Sequence, residues 1–330
     1  MFIAAPVLEE RAMKLRIFAE PQQGAHYSEL RAMAVAAEEL GFDAFFRSDH
    51  YLPFSGPSQL PGPTDAWISL AGLAVETTRI RLGTLMSPVT FRLPGPFAVA
   101  VAQADQMSGG RVEVGIGAGW FEREHAAFGI PFPSQRERFD RLEEQLAVIT
   151  GLWNTPEGQS FSFDGRYYQL SDSPGLPKPA QRPRPPLLLG GKGPRRTPDL
   201  AARYADEFNV PISGLQESAK IFDQVREACE AVGRSPVTMT FSVLQAVCCG
   251  RNEAEFRSRA AAGGWNPDEL RGSGLAGTPG EVANKIAEFA EVGAERVYLF
   301  MPDLRDLEHL ELIASAVAPQ VAAVDPPTQV

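Results

Sequence analysis

The chain has 330 residues, 44% of them hydrophobic and 22% charged, with a formal net charge of −10. This balance excludes a disordered chain and allows a large core without disulfide or metal staples, as about two domains or as one barrel of roughly 250 residues with insertions. The acidic sum speaks against nucleic-acid binding, which needs a basic face to neutralise phosphates.

Residues 1–12 (MFIAAPVLEERA) read as an N-terminal extension without the long apolar stretch of a signal peptide, since Met13 opens a run, MKLRIFAE, that looks like a natural start. Short apolar runs then alternate with amphipathic segments. A strand over 15–19 (LRIFA) is followed by a helix over 28–40, with Ser28 as cap, Gly41 as stop, and Leu30, Met33, Ala34, Ala37 and Leu40 on one face. The spacing next predicts a strand over 43–48, a helix over 64–77 capped by Thr64, a strand over 80–86, and a helix over 96–107 stopped by Gly109 and Gly110. A strand over 112–116 and a long helix over 135–152 follow. The proline-rich stretch 154–186, with Phe161/Phe163 and Tyr167/Tyr168, is too long for a simple connection and reads as an ordered insertion. The alternation resumes with strands over 186–189, 207–210, 238–247 and 296–301, and helices over 198–205, 216–232, 252–262, 278–292 and 304–317. Residues 321–330 read as a flexible tail.

Eight strands, each followed by a helix, predict an α/β fold: one (β/α)8 TIM barrel over 13–320 with an insertion around 154–186. The rival doubly wound sheet would need a glycine-rich turn after its first strand, and EPQQGAHYSE lacks GxGxxG. The longest apolar runs fall short of the eighteen residues a spanning helix needs, so no membrane association is expected. The three cysteines, Cys229, Cys248 and Cys249, give no disulfide framework and suggest a reducing, cytoplasmic setting. Cys248 and Cys249 point to opposite faces of a strand and make a poor metal pair.

Barrel enzymes place their chemistry at the C-terminal ends of strands. After the first strand stand Glu20-Pro-Gln-Gln, offering Gln22; after the second stand Ser48-Asp49-His50, a histidine beside a carboxylate that suits proton transfer. Gly83 to Ser87 end the third strand, where tight packing is the simplest account. The fourth ends in Gly115, Gly117 and Gly119, then Trp120; alternating glycines let something large approach the backbone. Glu122 and His125 share a helical face, too few ligands for a metal site, so no metal is expected. The fifth place, Gly190-Gly191-Lys192-Gly193-Pro194-Arg195-Arg196, lies between strand and helix, where free amides, the helix dipole and three cations suit a phosphate.

The pieces SDHY at 48–51, RIRLGTLMSPVTFR at 79–92, GRVEVGIGAGWFEREHAAFG at 110–129 and LLLGGKGPRR at 187–196 resemble the bacterial luciferase-like monooxygenase superfamily, above all its branch of oxidoreductases using coenzyme F420, a deazaflavin. The resemblance covers roughly 14–320 and implies a (β/α)8 barrel with an insertion, usually dimeric. It implies that Asp49 and His50 face the cofactor ring, His50 as acid or substrate clamp, and that Leu85 and Met86 form a bulge, often with a cis bond, behind the ring. By the same resemblance, Gly117, Gly190, Gly191, Lys192, Gly193, Arg195 and Arg196 hold the cofactor, the two arginines meeting its phosphate or its anionic tail. Phe54 stands where sugar-phosphate-oxidising members carry Trp, so their acid–base assignment does not transfer. With Gln22, Glu122, His125 and a catalytic Trp120, Phe54 is expected to line the pocket of a small, apolar substrate. The resemblance thus implies an F420-dependent oxidoreductase transferring a hydride to or from a small organic molecule. One alternative binds FMN as a two-component monooxygenase served by a separate cofactor-reducing enzyme. Another is a non-catalytic flavin or deazaflavin carrier.

Overall fold

A computed structural model of the protein describes residues 13–54 and 60–322, so the expected extension 1–12 and nearly all of the expected tail lie outside the described residues. The first half runs β1 (Lys14–Ala19), α1 (Tyr27–Glu39), β2 (Ala44–Arg47), α2 (Ala66–Glu76), β3 (Arg81–Pro88), α3 (Pro94–Met107), β4 (Val112–Gly117), α4 (Glu122–Ala127) and α5 (Gln135–Asn154). Next come β5 (Phe161–Asp164), β6 (Gln169–Ser173), β7 (Leu187–Gly190), α6 (Arg196–Tyr204), β8 (Glu207–Val210), α7 (Leu215–Ala231) and β9 (Thr240–Cys249). The chain closes through α8 (Glu253–Ala262), α9 (Pro267–Ser273), β10 (Leu275–Gly277), α10 (Pro279–Glu291), β11 (Arg296–Met301), α11 (Leu307–Leu312), a π-helical turn (Ile313–Val317) and α12 (Ala318–Val321).

The ring β1-β2-β3-β4-β7-β8-β9-β11 closes through parallel pairing of β11 with β1 and of β8 with β9. This is the (β/α)8 barrel that the alternation predicts. Side chains alternate along β1: Ile17 packs outward against the helices, whereas Phe18 joins Phe46, Leu188 and Tyr298 inside. The barrel floor is ionic. Arg16 donates to Glu113 at 2.7 Å, to Tyr298 at 2.8 Å and to Asp43 at 2.7 Å, and Tyr298 donates to Glu207 at 2.9 Å. Such burial is tolerable because each charge is paired and hydrogen-bonded.

Several local expectations are corrected. The cap of α2 is Asp65, which accepts from the amides of Trp67 and Ile68. Thr64 instead accepts from Arg47 at 2.7 Å. The cap of α1 is His26, whose capping box uses Glu29, not Ser28. The 154–186 insertion holds a two-stranded antiparallel hairpin, β5–β6. Three short elements have no counterpart in the sequence reading: α4, α9 and β10, the last extending β9 in parallel. All three cysteines are free and buried, with Cys248 and Cys249 in different clusters, as strand alternation requires.

Candidate active site

A cavity of about 610 Å³ opens at the C-terminal ends of the barrel strands. His50, Phe54, Leu85, Met86 and Trp120 form one part of its wall, and Gly190, Gly191, Lys192, Gly193 and Thr197 another. The loop after β2, the end of β3, the loop after β4 and the β7–α6 turn thus meet in one space.

His50 is held by a residue that motif reading overlooked. Its Nδ1 lies 2.9 Å from Glu124 Oε1, and the Tyr51 amide donates to Glu124 Oε2 at 2.9 Å. A carboxylate only accepts, so this pair fixes the proton on Nδ1 and leaves Nε2 as the ring nitrogen available to a ligand. Glu124 is buried, supplied by α4. The same four-residue run EREH contains Glu122 and His125, which are corrected here as pocket residues. Glu122 is exposed and outside the cavity lining. His125 is fully buried, its Nε2 2.6 Å from Thr90 Oγ1 and its Nδ1 2.8 Å from the Phe121 carbonyl oxygen, so both nitrogens are committed to the fold.

Asp49 also departs from expectation. It is buried, absent from the cavity wall, ion-paired with Arg92, and accepts from Ser87 Oγ at 2.7 Å. Arg92 also reaches Asp65 at 2.6 Å, while Trp67 Nε1 donates to Ser87 Oγ at 3.0 Å. Asp49 therefore ties the His50 loop to the end of β3 and, through Arg92, to Asp65 at the start of α2. Beside Ser87 the Leu85–Met86 peptide is cis, at a register shift between β3 and β4.

Gln22 is buried behind Ser48, whose Oγ donates to its Oε1 at 2.5 Å, and Gln22 does not line the cavity. Glu20 does line it, and burial pushes its carboxyl above the usual range, against a hydrogen bond from Gln23 and the nearby His50. Of the three glycines ending β4, Gly117 and Gly119 line the cavity; a Cβ on Gly115 would strike the Thr84 carbonyl oxygen, so that glycine serves strand packing.

The β7–α6 turn brings Gly190, Gly191, Lys192 and Gly193 to the cavity. Gly191 has φ +138°, open to glycine, and a Cβ on Gly190 would collide with the Asn209 carbonyl oxygen and with Met86 Cε. The first amides of α6 have no intrahelical acceptor, and Thr197 adds a hydroxyl at the cavity. Lys192 lines the cavity with its Nζ 3.2 Å from Glu217. Arg196 is corrected: its guanidinium binds Asp140 at 2.7 Å, sits 3.7 Å from Glu143 and donates to the Arg136 carbonyl at 3.1 Å, all on α5. Arg195 caps α6, exposed and outside the cavity wall.

Comparison with known proteins places this barrel. The family model described as luciferase-like monooxygenase matches residues 13–266. The chain belongs to the luciferase-like monooxygenase family. It is 36% identical over 216 residues to an F420-dependent glucose-6-phosphate dehydrogenase of Nakamurella multipartita, covering 63% of this chain and 59% of that one. It is 34% identical over 148 residues to an FMNH2-dependent dimethylsulfone monooxygenase of Pseudomonas putida, covering 43% and 40%. The matches thus span well under two thirds of these relatives' lengths. Among solved structures, an F420-dependent secondary alcohol dehydrogenase in complex with an F420-acetone adduct superposes with a TM-score of 0.79 at 21% identity, covering 94% of this chain and 99% of that one. That likeness bears on the fold. Relatives in this family thus include both F420- and FMN-dependent oxidoreductases.

Proposed function

We propose that the protein is an F420-dependent oxidoreductase acting on a small organic substrate. The observation that carries this reading is the convergence of His50, the Leu85–Met86 bulge and the Gly190–Gly193 turn on one cavity. The donor set fits a deazaflavin or flavin: an apolar wall of Leu85, Met86 and Phe139 for a ring, and close-packed glycines before a helix start for a phosphate. When bound, the cofactor supplies or accepts the hydride. The chain's own residues orient, exclude water and move a proton, which His50 Nε2 gives to or takes from the substrate while Glu124 steadies Nδ1.

The second reading, an FMN-dependent monooxygenase with a partner reductase, is supported by the dimethylsulfone monooxygenase relative. Fluorescence titration with F420 and with FMN, each oxidised and reduced, separates the two. Micromolar binding of F420 with FMN far weaker is the expected result; tight binding of reduced FMN alone would refute the F420 assignment. A homodimer belongs to the same proposal, and sedimentation of the purified protein tests it. Among the described residues, no helix is long and apolar enough to cross a membrane.

A further inference from the structure

The end of the cavity beyond His50 is a cluster of aromatic rings. The His50 ring meets Phe54 at 4.8 Å, Trp120 at 5.9 Å and Phe121 at 6.1 Å, all edge to face, and Phe54 meets Trp120 at 5.2 Å. Trp120 is 62% exposed; Phe54 and Phe121 each lie 5.2 Å from its ring, and the indole forms part of the cavity wall. An aromatic side chain in a cavity wall offers a planar ligand a face or edge to pack against.

The charged side chains in the cavity wall are Glu20, Glu124 and Lys192. Lys192 belongs to the β7–α6 turn and is paired with Glu217. Among the described residues, the charged side chains of the wall on the His50 side are therefore the carboxylates Glu20 and Glu124. Two arginines lie behind this wall without lining the cavity, each committed to protein partners. Arg123 lies over the Phe121 ring and donates to the Pro53 carbonyl oxygen. Arg138 stacks on Phe132 at 3.9 Å and donates to the carbonyl oxygens of Gly119 and Pro133. The described residues that continue from His50, 51–54 (YLPF) and 60–64 (LPGPT), contain no charged side chain. A phosphate or carboxylate on the substrate would find no unpaired cation among the described residues of this wall and would face Glu124, a costly arrangement in a partly desolvated site.

We infer that the substrate is an uncharged, planar, apolar compound, an aryl or cyclic ketone or enone, with its ring against Trp120 and Phe54 and its polar atom toward His50. Sugar phosphates and other anions are excluded. The inference rests on the oxidoreductase reading for its direction of search, but its test reads binding. Acetophenone and 4-acetylbenzoate differ by one carboxylate. Their affinities for the wild-type protein, with and without bound cofactor, are measured by saturation-transfer NMR and calorimetry, with glucose 6-phosphate as competitor.

Acetophenone is expected to bind at least tenfold more tightly than 4-acetylbenzoate and to be indifferent to glucose 6-phosphate. Trp120→Ala is expected to weaken acetophenone at least fivefold and leave cofactor affinity unchanged. Phe54→Arg is expected to raise 4-acetylbenzoate affinity and so reverse the preference. Equal or tighter binding of 4-acetylbenzoate, displacement by glucose 6-phosphate, or no acetophenone binding at millimolar concentration would each overturn the inference. Failure of both F420 and FMN to bind, with acetophenone still preferred, would sink the oxidoreductase reading and leave the ligand class standing.

Discussion

Replacing Glu124 with Gln tests whether the acid–base group of this site is one histidine or a pair. The buried Glu124 carboxylate accepts two hydrogen bonds, from His50 Nδ1 and from the Tyr51 amide, both 2.9 Å long. Gln has the same size but a single acceptor oxygen. Either one donor then faces the NH2 group, or the imidazole moves its proton to Nε2 so that Nδ1 accepts from it; both lose the tautomer that the carboxylate holds. A hydrogen bond to an ionised group is worth about 1.5–3 kcal/mol. If that loss falls on the orientation of the imidazole, kcat/KM drops roughly 10- to 150-fold. Turnover of the best carbonyl or alkene acceptor is measured alongside cofactor affinity and thermal unfolding, so that loss of fold or of cofactor is seen directly. His50→Ala is expected to cost at least tenfold, and the double variant no more than His50→Ala alone, because Glu124 acts through His50. A Glu124→Gln enzyme within twofold of wild type would refute the positioning role. So would multiplicative losses in the double variant.

Three further outcomes follow from the same structure. Gly190→Ala should abolish micromolar cofactor binding in a fluorescence titration, since its Cβ would collide with the Asn209 carbonyl oxygen and displace Met86 from the cavity wall; undiminished affinity would remove the β7–α6 turn from the cofactor site. Asp49→Asn should lower stability in urea by ~3–5 kcal/mol, because it leaves Arg92 short of a buried partner; unchanged stability with lost cofactor affinity would instead make Asp49 a direct contact. Burial and Arg259 push His309 down to about 4, and its Nε2 accepts from the Cys249 amide at 2.9 Å. The unfolded chain takes up that proton near pH 6.5 and the native state does not until about 4, so this stability is complete above about 6.5 and is lost on acidification toward about 4, on the order of 3 kcal/mol. His309→Gln should flatten that slope in denaturant titrations across the window, and an unaltered slope would refute the assignment.

What the sequence disclosed and what it hid divide along a physical line. Strand and helix alternation is local, and it sufficed for the barrel. The features it missed are tertiary or short. α4 is six residues long and is carried by contacts from its two buried residues, Glu124 and His125, rather than by a repeating stripe. The β5–β6 hairpin lies among prolines that mask strand pattern. Which carboxylate of the run EREH reaches His50 depends on the angle at which the chain leaves β4, and spacing does not carry that angle. The cations of the β7–α6 turn misled for a related reason: Arg196 looks free in sequence, but α5 passes beside it carrying Asp140 and Glu143. Asp49 is the same lesson in reverse, a carboxylate beside a histidine whose partner, Arg92, is 43 residues away in the chain.

The two ends of the barrel interior explain why these polar groups behave differently. At the floor, burial favours protonation of Glu113, but Arg16, Arg81 and Arg296 outweigh it and hold the carboxyl far below the usual range. There the ions stabilise one another and have no freedom to react. At the C-terminal end, Glu20 lacks such cations, and burial alone decides its direction, upward. Below, the charges form one network; at the cavity wall they form single pairs, His50 with Glu124 and Lys192 with Glu217. On the proposed reading, the His50 end, with Glu20 and Glu124 in its wall, takes a neutral compound, and the glycine turn, with its amides and Lys192, takes an anion. An anionic cofactor and an uncharged substrate can therefore occupy one cavity without competing for its ends.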